Sequence, residues 1–186
     1  MKRFKEFFSD KMITESPRID PNLNKNRIRS NTNYIKQLIK DNHKSATKLG
    51  EDAYYQKSPS HHIYYRYKNG KVKECSLIDN KNTQVSSDKG QKGSVEHINR
   101  FVERHVKQFG FVGSDKVNTK GSKHFWKIIS ENTPKNMTLY HVYNNGDKIE
   151  SNIATPEYIK SNEHKIWGTD NSHENHRIIL HKNEKI

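Results

Sequence analysis

The chain has 186 residues, 30% of them hydrophobic and 30% charged, with a formal net charge of +13 at neutral pH. That length fits one domain with tails, and the low apolar fraction restricts it to a smaller core than an ordinary domain of this size builds. No run approaches the roughly 20 apolar residues of a bilayer-spanning helix, and the single Cys75 excludes an intrachain disulfide, which suits a reducing cytosol. The positive surplus lies before residue 136 and is carried more by Lys than by Arg. Such a balance favours an anionic partner, either nucleic acid or the phosphates of a cofactor, and general phosphate attraction over readout of base edges.

In chain order, Phe4, Phe7, Phe8 and Met12 fall at helical spacing among Lys5, Glu6, Asp10 and Lys11, so residues 1–15 read as an amphipathic leader. Ser16-Pro17 interrupts it, and residues 16–33, rich in Asn, Arg and Pro, read as a basic linker or arm. Residues 34–186 are expected to form a single domain. Tyr34, Ile35, Leu38 and Ile39 predict a helix to about residue 48, with Gly50 as its stop and Lys36, Lys40, Lys44 and Lys48 on its polar face. His61 to Tyr67 and Val72 to Ile78 are two strands around Lys68-Asn69-Gly70-Lys71, where Asn-Gly between alternating segments signals a hairpin. A polar loop over 79–93 leaves room for a short strand near Val85.

Val95, Ile98, Phe101, Val102 and Val106 define an amphipathic helix, followed by a strand at Phe111-Val112. That strand ends in Ser114-Asp115, and a helix from about Ser122 to Ser130 drives Phe125 and Trp126 inward, with Trp126 expected in the core. Met137 to Tyr143 alternates as a strand, Asn144-Asn145-Gly146-Asp147 turns, and Pro156 opens a short helix carrying Tyr158 and Ile159. Arg177 to His181 closes the chain as a strand. The order predicts an α/β (α+β) fold with a mixed, mostly antiparallel central sheet flanked by helices.

With that order, GFVGSDKVNTKGSKHFWKII resembles the GNAT acyltransferases, specifically the divergent acetyltransferase-like proteins of tailed bacteriophages. The hairpin YYRYKNGKVKECSLID and the closing HKIWGTDNSHENHRIILHK extend the resemblance over roughly residues 60–182. It implies a GNAT-like domain using acetyl-CoA. The pyrophosphate loop that precedes the central helix in that family matches Lys89, Gly90, Lys92, Gly93 and Ser94, with Asn118 beside the following turn. A helix start offers unpaired N–H groups to an anion, and glycine lets backbone approach it. The glycines stand three apart here, unlike the family's Gly-x-Gly/Ala. The family's Tyr acid is replaced by Phe125-Trp126, neither of which can donate a proton. Tyr140 and Tyr143 remain as hydroxyl donors of opposite strand parity, and His141, Asp115 and Glu74 as bases.

Residues 1–15 separately resemble the leaders of internal head proteins of large tailed phages. This implies a prohead core as partner and a maturation protease cutting after Ile13-Thr14-Glu15, before Ser16. Two functions therefore stand side by side: an acyl-CoA-dependent N-acyltransferase, or a non-catalytic virion protein whose basic surface contacts packaged DNA. The expected locations are the host cytoplasm and the virion head interior, with no membrane. No metal is expected: His61-His62 points to opposite strand faces, His173-Glu174-Asn175-His176 lacks the His-Glu-x-x-His pattern, and there is no cysteine pair.

Overall fold

Nine strands and five α-helices are seen in a computed structural model that describes residues 25–79, 85–88, 95–114, 120–144, 147–167 and 176–183. The leader, the Glu15–Ser16 junction, Lys89, Gly90, Lys92, Gly93, Ser94, Asp115 and Asn118 lie outside the described residues. The chain divides into two compact units, one over residues 22–105 and one containing 106–186. The expected domain over 34–186 therefore spans parts of both.

In the first unit, helix α1 (Lys25–Asn42) runs into a 3-10 turn (His43–Ser45). It is followed by β1 (Thr47–Lys48), β2 (Ala53–Lys57), β3 (His61–Lys68), β4 (Lys71–Asp79), β5 (Val85–Asp88) and most of α2 (Val95–Phe109). The five strands form a meander in sequence order, each pair antiparallel. The β3–β4 turn has Asn69 at φ 52° and Gly70 at φ 70°. Two successive positive φ values are what an Asn-Gly turn of type I′ supplies, and its twist matches the flanking strands. Strand β3 is buried along His62, Ile63, Tyr64 and Tyr65 because both sheet faces are covered. Ile39 of α1 packs with Ile63, Tyr65 and Cys75 on one face. On the other face, Phe101 and His105 of α2 lie against the Tyr64 ring.

The second unit holds β6 (Phe111–Gly113), α3 (Lys120–Glu131), β7 (Met137–Asn144), β8 (Ile149–Ile153), α4 (Pro156–Ser161), α5 (Glu163–Trp167) and β9 (His176–Lys182). Its four strands follow the order β6-β9-β7-β8, again antiparallel throughout. Trp126 of α3 is fully buried, as its sequence position predicts.

The mix of strands and helices matches expectation, but the arrangement differs. The described strands make two antiparallel sheets, where one mixed central sheet was expected. Strands β2 and β8 are additions to the predicted elements: neither alternates in polarity, and β8 is exposed at every residue. Both are held by ladder hydrogen bonds to a neighbouring strand, which hydrophobic pattern does not register. Helix α1 begins at Lys25, inside the segment read as a linker, and its α-helical part ends at Asn42 because the chain from Thr47 pairs with β2.

Candidate functional site

In the second unit, strand pairing and one short helix assemble a His–Tyr cluster. The β7–β9 register sets Tyr143 opposite His176 and His141 opposite Ile178, so His141, Tyr143 and His176 share a sheet face. Helix α4 is brought to that face by local chemistry. Thr155 caps it by accepting from the Tyr158 N–H at 3.1 Å, Pro156 opens it, and Ile159 is buried. The Ala154 N–H also donates to the Leu139 carbonyl at 2.8 Å, tying the helix entrance to β7.

The result is a hydrogen-bonded chain. The Tyr158 hydroxyl lies 2.8 Å from His141 Nδ1, and His141 Nε2 lies 2.8 Å from His176 Nδ1. The two imidazoles are nearly parallel at 18°, and the Tyr143 ring packs on His176 at 4.8 Å between centroids. His141 and His176 are buried, while Tyr158 is half-buried and forms the less buried end of the chain. Asn152, in register with His141 on β8, hydrogen-bonds Tyr158.

Burial, with His176 and Lys165 nearby, lowers the His141 pKa to about 4. Burial raises that of Tyr158. At neutral pH the cluster is therefore an uncharged phenol on an uncharged imidazole. If His141 Nδ1–H donates to the Tyr158 oxygen, the phenolic proton is free to leave toward a ligand, with His176 positioned to reload His141. The opposite tautomer makes Tyr158 the donor and His141 the acceptor. Such a chain can deliver or take up one proton at the Tyr158 oxygen.

The strand candidates now separate. His141 lies at the centre of the cluster and Tyr143 at its edge. Tyr140 lies on the opposite face, against Val142 and Ile179, and is no part of it. The sequence places Tyr158 on a helix but carries no sign of its partner, because its pairing with His141 arises only when α4 folds onto β7. Glu74 belongs to the first unit, where it is 2% exposed and pairs with Arg66 at 3.5 Å and His97 at 3.2 Å. No group of three or more ligating side chains able to hold a metal occurs among the described residues.

A second buried His–Tyr set lies in the first unit. Tyr55 OH is 2.7 Å from His62 Nδ1, and Tyr64 OH is 3.3 Å from His105 Nδ1. Burial lowers the His105 pKa to about 3 and raises that of Tyr64. His105 and His141 thus each make their own unit sensitive to acid. Each has a folded pKa below its unfolded value of about 6.5, so the unfolded chain binds more protons as pH falls. The stability each contributes is complete above about pH 6.5 and is lost on descent toward the folded values of about 4 and 3. Urea unfolding at pH 5 should therefore show each unit about 2 kcal/mol less stable than at pH 7. Imidazole NMR should find both rings still neutral at pH 5, and a flat stability profile across this interval would refute the assignment.

No protein-family model matches the chain, and no curated protein or solved structure shows significant similarity to it.

Proposed function

We propose that the chain is a group-transfer enzyme of the acetyl-CoA-dependent N-acyltransferase type, with Tyr158 as the proton-exchanging hydroxyl and His141 behind it. The observation that carries this reading is the half-buried Tyr158 phenol bonded at 2.8 Å to a buried, neutral imidazole. Acyl transfer from a thioester to an amine requires a proton to leave the amine and a proton to reach the departing thiolate. A phenol of raised pKa backed by a His pair can donate the second of these, and the first passes to solvent. In this reading His176 reloads His141, and Tyr143 holds the His176 ring in place. The GNAT-like identity of the scaffold rests on the sequence resemblance, which implies a mixed sheet. The described pairings are antiparallel, so the proposal attaches to the chemistry of the second unit.

Acetyl-CoA should bind and acetylate an amine from a panel of polyamines and lysine peptides. Tyr158→Phe should lower kcat by about 10²- to 10⁴-fold with little change in KM, since the phenyl ring keeps its packing and loses only the proton. An absence of both acetyl-CoA heat in calorimetry and thiol release would sink the reading.

A second reading, a non-catalytic internal head protein of a large tailed phage, is favoured by the +13 charge and by its concentration in the early part of the chain. It needs a surface for packaged DNA and leaves the His–Tyr cluster a structural role.

A further inference from the structure

We infer that the lysine edge of helix α1, formed by Lys36 and Lys40 and continued by Lys44, is a docking surface for the phosphate backbone of duplex DNA. The inference uses only the first unit. It is independent of acyl transfer and supplies the contact surface that the second reading requires.

The helix carries Lys25, Arg27, Arg29, Lys36 and Lys40 against one acid, Asp41, which is engaged by the Gln37 amide at 2.8 Å. At about 100° per residue, Lys36 and Lys40 form one stripe, about 40° apart. Lys44 follows in the 3-10 turn. On the same wheel Lys36 and Lys40 lie about 60° and 100° from Ile39, so the lysines flank the side on which Ile35, Leu38 and Ile39 pack on the sheet beneath. Lys40 and Lys44 are exposed and Lys36 is half-buried.

Three features identify the occupant. The apolar side of α1 is already consumed: Ile39 is fully buried against Ile63, Tyr65 and Cys75. A basic amphipathic helix that binds a membrane must instead insert that side among lipid chains, so a bilayer is a poor fit. The exposed aromatic of this helix, Tyr34 at 69%, projects from a different face, so the stripe has no stacking platform of the kind that single strands use. Charge complementarity with a regular array of phosphates remains. Successive basic positions four residues apart rise by about 6 Å, close to the axial rise of two phosphates along one strand of duplex DNA. Lysines reading phosphates supply affinity without base specificity.

The test is fluorescence anisotropy of a labelled duplex, a labelled single strand and phosphatidylserine vesicles with the full chain. Duplex affinity should fall steeply between about 50 and 200 mM salt, the signature of counterion release. The K36Q/K40Q/K44Q variant should bind at least about tenfold more weakly at low salt, with the log K against log salt slope shallower by about 2 to 3. K40Q/K44Q, which changes only exposed side chains, should show about two thirds of that slope change while retaining the wild-type circular dichroism spectrum. Either variant keeping the wild-type slope would overturn the inference. So would failure of the wild type to bind duplex at about 50 mM salt, or a preference for vesicles or single strands. Because the variants change only α1 and its 3-10 turn, acetyl-CoA calorimetry on the same proteins would tell loss of DNA binding from loss of acyl transfer.

Discussion

Trp126→Ala is expected to destabilise the unit containing residues 106–186 by about 4 kcal/mol, in the range of buried aromatic truncations. The indole is 0% exposed on α3, a helix joined to α5 through Lys123 and Lys127, both ion-paired with Glu163. Its Nε1–H has no hydrogen-bond partner among the described residues, so its contribution is apolar packing. Trp126→Phe, which keeps a ring and removes that buried donor, should therefore cost much less, about 1 to 2 kcal/mol. Urea unfolding can follow both variants by fluorescence of Trp167, a buried indole in the same unit. A Trp126→Ala protein within about 1 kcal/mol of wild type would show that the site collapses without cost and would contradict the core assignment.

The second large effect is expected at Arg66, in the other unit. Its guanidinium donates to Asp52 Oδ2 at 2.8 Å and lies 3.5 Å from Glu74 Oε1. The Glu74 side chain is only 3% exposed. The Arg66 hydrogen bond is also the main reason the Asp52 carboxyl stays below its usual pKa. Arg66→Met retains most of the aliphatic stem but strips the guanidinium from a buried carboxylate, which should destabilise the unit by about 3 kcal/mol. Arg66→Met combined with Glu74→Leu should recover most of that loss, because removing both charges also removes their desolvation penalty. Equal losses in the single and double variants would show that Arg66 acts by packing alone.

Legibility in the sequence varied with the range of the interaction. The β3–β4 hairpin was readable because Asn69-Gly70 encodes its turn locally. Helix α2, β7 and the Pro156 helix start were readable from periodicity and capping. Trp126 was recognisable as core from its place on an apolar helix face. Strands β2 and β8 were not readable, since Tyr54-Tyr55-Gln56 and Glu150-Ser151-Asn152 show no alternation and are strands only because β3 and β7 present them with open ladders. The division into two sheets was equally hidden. Strand pairing is set by which edges meet, and the sequence order of strands and helices is compatible with one sheet or two.

The candidate site divides along the same line. His141 and Tyr143 could be named from the sequence as chemically capable residues on one strand face, and Tyr140 separated from them by parity alone. The sequence by itself also determined the charge and its bias toward the early part of the chain, because composition needs no folding. Only the tertiary structure decided that Tyr158, 17 residues beyond His141, closes onto it, and that His176 joins from 35 residues away. The physical reason is that burial and pairing are properties of juxtaposed elements. Imidazole acquires a low pKa only when α4, β7 and β9 together exclude water from it, and no window of sequence contains all three.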